Sequence, residues 1–199
     1  MKKVLIKGPV LTRSGYGEQA RFALRSLASR PDLYDIYIIT TGWGKTSWVF
    51  ESNVERQWID DIITKTAAFL ESGGKFDMSL QVTIPNEWER IAPYNVGYTA
   101  GIETTKVAPE WIEKANIMDK IVVVSNHAKN VFEDTTYLLQ NEKKETTTFA
   151  CTTQIEVVNY PVKRYAPVDL HLSLPFDFNF LCIGPVSYTH LTLPTKRIV

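Results

Sequence analysis

This sequence has few of the residues that form disulfide frameworks or metal sites. Its 199 residues include two cysteines, Cys151 and Cys182, which are far apart and form no CxxC pair. They fit reduced thiols in a cytoplasmic protein and not the disulfide scaffold of a small secreted domain. The three histidines are isolated and have no paired acidic spacing, so the sequence predicts no metal site.

The sequence also lacks net charge and long apolar runs. Lys plus Arg and Asp plus Glu number 22 each, and such a balance provides no basic field for nucleic acid. No apolar run approaches the roughly 20 residues needed to span a bilayer. We therefore expect a protein without a transmembrane segment or a nucleic-acid partner, located in the cytoplasm or at the inner membrane surface.

Short apolar runs alternate with helix-like segments along most of the chain. Strands are predicted at residues 4–6, 34–40, 76–84, 96–100, 121–124 and 155–159, and helices after Gly17, at 58–70, at 109–116 and at 126–134. Residues 140–153 are polar and predict a solvated loop or a hairpin. Strands alternating with helices are typical of an α/β fold, here a Rossmann-like parallel sheet with helices on both faces.

The loop between the first strand and the first helix contains Ser14, Gly15, Tyr16 and Gly17. Glycines allow the backbone to approach a ligand closely, and a helix that begins there presents free N–H groups to an anion. The pattern indicates a phosphate- or diphosphate-binding edge, although a tight turn without a ligand fits it equally well. If phosphates bind there, valine at Gly15 or Gly17 should impair binding and leave the fold largely intact.

Two further loops are predicted at the same edge of the sheet. Glu103 and Thr104 follow one predicted strand, and Ser125 and His127 follow the next. Because ligands of parallel sheets bind at the carboxyl ends of the strands, these are candidate substrate contacts, with Glu103 as the candidate catalytic residue. Each has a structural alternative: Glu103 as a surface or capping glutamate, Ser125 as a helix cap and His127 as an exposed side chain.

Two familiar nucleotide-binding motifs are absent. Residues 44–46 look like the end of a P-loop, but the glycine that this motif requires five positions earlier is Ile39. The glycines at 8, 15 and 17 do not follow GxGxxG. Residues 40 and 41, at the end of the second predicted strand, are threonines and not a ribose-binding acid. These observations argue against an NTPase and against a dinucleotide oxidoreductase.

Three segments resemble the GT-B glycosyltransferases of the retaining, nucleotide-sugar-using group (group 1, family 4-like). They are SGYGEQAR, GYTAGIETTKVAPEWIEKANIMDKIVVVSNHAKNVFE and FNFLCIG. The resemblance covers residues 1 to about 184 and is most specific in the middle segment. The positions that match the family pattern there are Glu103-Thr104, Pro109, Trp111, Asp119, 121–124, Ser125 and Val131-Phe132.

The resemblance implies a truncated transferase. Residues 1–172 would be the Rossmann-like acceptor-side domain, and 173–184 the linker and first strand of a missing donor domain. Residues 185–199 have no helix pattern and are too few for a core, and we expect them to be a non-native tail. The whole enzyme would transfer a hexose from a nucleotide-diphosphate sugar to a hydroxyl of a sugar, lipid-linked or protein acceptor, with retention. It would need no cofactor or metal. Because most donor contacts lie in the missing half, the chain alone is expected to be inactive.

The resemblance also implies roles for single residues. Gly15, Tyr16 and Gly17 would lie against the donor diphosphate. Many members of the family have a histidine at another strand end, and the nearest candidate region here is Asn86-Glu87. The alternative to a transferase is a stand-alone Rossmann-like module that binds a ligand or regulates a partner without catalysis.

Overall fold

The computed structural model describes residues 1–140, 146–162, 164, 166–169, 171, 173, 176, 178 and 179. The chain divides into two compact units, Met1–Val162 and Lys163–Val199. None of the described residues of the second unit lies in a helix or a strand. The predicted tail at 185–199 lies outside the described residues, as does most of the predicted segment 173–184.

The first unit alternates strands and helices in the way that the sequence predicts. A single turn of 3-10 helix, Pro85–Glu87, follows the third strand. The other elements described are β1 (Lys2–Gly8), α1 (Gly15–Ala28), β2 (Tyr34–Thr40), α2 (Val54–Glu71), β3 (Met78–Val82), β4 (Tyr94–Tyr98), α3 (Pro109–Asn116), β5 (Lys120–Val123), α4 (Asn126–Asp134), β6 (Thr136–Gln140), β7 (Thr146–Ala150) and β8 (Ile155–Val157).

Six strands form one parallel sheet in the order β2-β1-β3-β4-β5-β8. The chain runs outward from β1 to β2 and then continues on the other side of β1, at β3. The switch point therefore lies between β1 and β3, and in such sheets ligands bind outside the carboxyl ends of the strands at this point. The predicted α/β fold with a parallel, Rossmann-like sheet is confirmed.

Helices cover both faces of the sheet. Successive side chains of a strand point to opposite faces, and on each face they form a core with the helices. On one face, Ile6 and Ile38 pack with Leu24 of α1. On the other face, Ile121 packs with Phe132 of α4 and with residues of α3. Strands that are buried on both faces consist mainly of apolar residues, which is the pattern seen along β1 and β2.

The remaining strands, β6 and β7, pair antiparallel with each other. Of the two interpretations of residues 140–153, the structure favours the hairpin, but its first strand begins at Thr136, before the predicted segment. Element ends differ from prediction by a few residues. Helix α2 begins at Val54, earlier than predicted, because the side chain of Asn53 caps it by accepting a hydrogen bond from the N–H of Arg56 at 2.8 Å.

A buried asparagine holds β4 against the turn that precedes it. The side chain of Asn95 is 0 % exposed. Its Oδ1 accepts hydrogen bonds from the Ser79 hydroxyl at 2.9 Å and from the N–H groups of Ile91 and Ala92 at 3.0 Å each. Its Nδ2 donates to the Ala92 carbonyl at 2.7 Å. The turn therefore depends on one side chain for several buried hydrogen bonds.

We expect Asn95→Ala to lower the free energy of unfolding by about 2–4 kcal/mol, because it leaves buried donors without an acceptor. Asn126→Ala, at an exposed position of α4, is the control and should change stability by less than about 0.5 kcal/mol. Urea unfolding followed by circular dichroism measures both variants. Equal stability of the two variants would contradict this role of Asn95.

Candidate functional site

The predicted glycine loop forms the first turn of α1. Gly15 is the first helical residue, and Ser14 is the N-cap, in extended conformation. The Ser14 hydroxyl accepts a hydrogen bond from the N–H of Gly17 at 2.9 Å and lies 2.8 Å from the Thr12 hydroxyl. The Thr12 hydroxyl also donates to the Pro9 carbonyl at 3.0 Å. The turn after β1 is thus tied to the start of α1.

The two glycines of this turn have different surroundings. A Cβ on Gly17 would lie 2.2 Å from the Thr12 carbonyl oxygen and 3.0 Å from the Pro9 carbonyl oxygen. A Cβ on Gly15 would meet nothing within 4 Å, and Gly15 is exposed. The expectation that the fold tolerates valine at Gly17 is therefore wrong, since the protein's own backbone fills that space. Gly15 borders open space, as a ligand contact requires.

The start of α1 offers backbone donors to an anion. The Ser14 carbonyl accepts from the N–H of Glu18 at 3.0 Å, and the Ser14 side chain satisfies Gly17. The N–H groups of Gly15 and Tyr16 precede the first intrahelical hydrogen bond, and no acceptor for them is found within the described part of the chain. Free N–H groups at the positive end of a helix dipole attract phosphate and carboxylate groups.

The arginines near this turn are engaged with the protein itself. Arg21 is buried and donates to the carbonyls of Val10 and Thr12 at 2.8 and 3.0 Å. Arg13 forms an ion pair with Glu51. These side chains shape the turn, so the contribution of the turn to an anion comes from its backbone N–H groups.

Tyr16 connects α1 to the carboxyl end of β4. Its hydroxyl lies 2.8 Å from the Thr99 hydroxyl and accepts a hydrogen bond from the N–H of Ala100 at 3.1 Å. Its ring stacks on Trp43, with ring centroids 4.2 Å apart. Burial raises the pKa of Tyr16 above its usual value, so the hydroxyl stays neutral at physiological pH. The structure thereby brings together two of the three loops predicted from the sequence.

The loop after β4 carries Glu103 and Thr104. Both residues are exposed, and together with Lys106 and Trp111 they line an open pocket of about 460 Å³. The Thr104 hydroxyl donates to the Lys106 carbonyl at 2.8 Å and closes a local turn. Glu103 makes no ion pair with any described residue. Trp111, which the sequence analysis named only as a match to the family pattern, packs against the core and also lines this pocket.

The third loop, after β5, lies beside the second. A Cβ on Gly101 would be 3.8 Å from a methyl group of Val124. Ser125 is the N-cap of α4, and its hydroxyl accepts from the N–H of Ala128 at 3.1 Å. Ser125 thus acts as a helix cap, the structural alternative given for it above. His127 lies in the first turn of α4 and is exposed, which is also its structural alternative. All three predicted loops therefore lie along one edge of the sheet.

Buried polar atoms lie at the ends of β2 and β3, in Thr41 and Thr83, which sequence reasoning did not name as site residues, and in Asn86, which lies in the candidate region Asn86-Glu87. The hydroxyls of Thr41 and Thr83 and the Oδ1 of Asn86 are buried and have no hydrogen-bond partner among the described residues. Thr41 adjoins the end of β1, because its N–H donates to the Gly8 carbonyl at 3.1 Å. Buried polar atoms without a partner are rare and often mark a bound water or ligand. The sequence feature that could have indicated these atoms is the threonine directly after each of β2 and β3.

The described residues contain no group of three or more His, Cys, Asp or Glu side chains that could hold a metal ion. Among the same residues, no helix has both the length and the apolar character that a membrane crossing requires.

We expect Gly17→Ala to lower the free energy of unfolding by about 1–3 kcal/mol, because the new methyl group overlaps the Thr12 carbonyl. Gly15→Ala should be neutral or slightly stabilising, since its methyl group enters open space and alanine favours the helix. Thermal and urea unfolding of the two variants test this difference. Wild-type stability of Gly17→Ala would show that α1 does not approach the turn this closely.

Comparisons with known proteins do not identify this chain. No protein-family model matches it, no curated protein matches it, and no solved structure matches it. The resemblance to GT-B glycosyltransferases therefore stays a prediction from the sequence, and the function has to be argued from the site.

Proposed function

We propose that this domain is the acceptor-side half of a glycosyltransferase that moves a hexose from a nucleotide-diphosphate sugar to an acceptor hydroxyl with retention. The observation that carries the proposal is the start of α1 at the carboxyl edge of the sheet. There, the N–H groups of Gly15 and Tyr16 have no acceptor among the residues that the structure describes, and Gly15 borders open space. A diphosphate is the ligand class that such donors favour.

In the proposed reaction, the bond between the anomeric carbon and the diphosphate oxygen breaks, and a bond from that carbon to the acceptor oxygen forms. Negative charge grows on the departing diphosphate, and the N–H groups of α1 stabilise it without having to reorient. The departing diphosphate oxygen takes the acceptor proton on the same face of the sugar, which retains the anomeric configuration. Backbone amides and the basic side chains of the donor half replace a metal ion.

The remaining candidate residues receive roles from their positions. Tyr16 holds the start of α1 against β4 through Thr99 and Ala100. Glu103, at the mouth of the pocket beside this contact, is the residue that we propose to orient the acceptor hydroxyl. Ser125 and His127 border the same edge, where Ser125 fixes the start of α4 and His127 is free to contact substrate.

The alternative is a ligand-binding or regulatory module without catalysis. It is favoured by the packing of the first unit, in which the six-stranded sheet has a core on each face. The coding sequence after residue 184 distinguishes the two functions. A transferase requires about 150 further codons with an α/β pattern, the size of a second domain.

If the chain is half of a transferase, purified 1–199 should show negligible turnover of nucleotide-sugars. The protein encoded by the gene extended through its donor half should turn them over at least about a thousandfold faster, because the basic donor contacts stabilise the transition state. Release of nucleoside diphosphate measures the rate. Robust transfer by 1–199 alone, or a coding sequence that ends without a second α/β domain, would contradict the proposal.

Gly15→Pro tests the backbone donors directly. Proline removes the N–H of Gly15 but suits the first position of a helix, and the extended backbone of Ser14 (φ −130, ψ 166) suits the residue before a proline. We expect Gly15→Pro to weaken binding of pyrophosphate and UDP at least about tenfold, the value of one hydrogen bond to a charged group.

Gly15→Ala is the comparison variant, because it keeps the N–H group and adds only a methyl group. Gly15→Pro should therefore weaken binding about tenfold more than Gly15→Ala does. Isothermal titration measures both affinities, and thermal unfolding checks that both variants are folded. Diphosphate binding that is unaffected by Gly15→Pro would rule out α1 as the phosphate site.

A further inference from the structure

The pocket after β4 has an apolar base and a polar mouth. Its volume of about 460 Å³ lies within the roughly 300–1,000 Å³ of small-molecule sites. Ile102 and Val107 line it while being only 8 % and 3 % exposed, because they belong to the core beneath α3 and α4. Trp111 is half-buried, packs against that same core and also lines the pocket. The indole is therefore anchored on one side and available on the other.

The loop that lines the pocket is fixed by hydrogen bonds to the end of α4, to β6 and within the loop itself. The Val107 N–H donates to the Thr135 hydroxyl at 3.3 Å, and the Val107 carbonyl accepts from the Tyr137 hydroxyl at 2.6 Å. Both backbone groups of one loop residue are thus fixed to neighbouring elements, while Thr104 closes the turn through Lys106. A loop fixed in this way loses little conformational entropy when a ligand binds.

The polar mouth carries one charge of each sign. Glu103 and Lys106 are exposed, and neither side chain forms an ion pair or a side-chain hydrogen bond with any residue in the described part of the chain. A site for a phosphate or for an organic cation would carry an excess of one sign. Here, the two charges cancel, and they leave a carboxylate that accepts hydrogen bonds and an ammonium group that donates them.

We infer that this pocket binds a neutral saccharide, with the Trp111 indole against the apolar face of a sugar ring and with Glu103 and Lys106 hydrogen-bonded to its hydroxyls. An aromatic surface combined with a few placed polar groups suits a ligand that is apolar on its faces and polar at its rim. The inference rests on the proposed function for one point only, that the bound saccharide is the acceptor. The acceptor is then a sugar and not a protein or a lipid chain.

The position of the pocket fits that role. Gly101, which lines it, directly follows Ala100, whose N–H donates to Tyr16 in the first turn of α1. An acceptor hydroxyl at the mouth of the pocket therefore lies on the same edge of the sheet as the proposed diphosphate site. Transfer requires the two substrates to be held next to each other in this way.

The test measures binding of methyl glycosides of glucose, mannose and galactose, and of maltose and cellobiose, to the chain 1–199. Saturation-transfer NMR detects binding, and tryptophan fluorescence gives the affinity. We expect at least one probe to bind with a dissociation constant at or below about 10 mM, and Glu103→Gln to weaken it at least about fivefold. Glu110→Gln is the matched control, since this glutamate is exposed in α3 but does not line the pocket. It should leave binding within about twofold of wild type.

A second variant tests the indole. Trp111→Phe keeps an aromatic ring in the core but reduces the platform, and we expect it to weaken saccharide binding about three- to tenfold, while its thermal unfolding shows that the fold is kept. Saccharide binding that both Glu103→Gln and Trp111→Phe leave unchanged would overturn the inference, because the ligand would then lie elsewhere. Binding of phosphate or choline in place of every saccharide would overturn it as well.

The outcomes separate this inference from the proposed function. If no probe binds while pyrophosphate binds in a way that Gly15→Pro abolishes, the saccharide pocket is refuted and the diphosphate site is kept. If a saccharide binds through Glu103 while no diphosphate binds, the pocket is supported and the diphosphate site at the start of α1, which carries the proposed function, is refuted.

Discussion

The close approach of α1 to the turn after β1 is the contact on which the carboxyl edge of this sheet depends. It is possible because Gly17 has no side chain, so that the helix backbone meets the carbonyls of Thr12 and Pro9 directly. Arg21, a residue of α1, strengthens the same contact because its guanidinium group donates hydrogen bonds to carbonyls of that turn. As a result, the first turn of α1 has a fixed position relative to β1, and its free N–H groups are already placed before any ligand arrives.

From that fixed helix start, the edge is assembled by side chains that join neighbouring loops. Tyr16 ties α1 to the end of β4, and its stacking on Trp43 adds the loop after β2. Polar groups at the ends of β2 and β3 have no hydrogen-bond partner in the described part of the chain, whereas apolar side chains on the two faces are packed into cores. A parallel sheet collects all of these strand ends on one side, which separates the part of the molecule that recognises ligands from the part that provides stability.

Local sequence patterns predicted the helices and strands well, but not which residues the fold places next to each other. The strand Tyr34–Thr40 was predicted to the residue because a run of Ile and Tyr is bounded by turn formers, and Pro109 marked the start of α3. The role of Gly17 could not be predicted, because a missing Cβ leaves room for a ligand or for the protein's own backbone alike, and only tertiary structure decides which. The same holds for Trp111: the sequence marks it as a match to a family pattern, but the pocket beside it is formed by residues that the fold of the loop brings together.

The position of the hairpin has a consequence for synthesis of the chain. Strands β1 and β2 can pair as soon as the first forty or so residues have been made, since only one helix separates them. Strand β5 must wait for α4, both strands of the hairpin and then Ile155 before its outer side is covered by β8. During that interval a nascent chain exposes the unpaired edge of a buried, β-branched strand, which is the kind of surface that recruits chaperones or pairs with another chain.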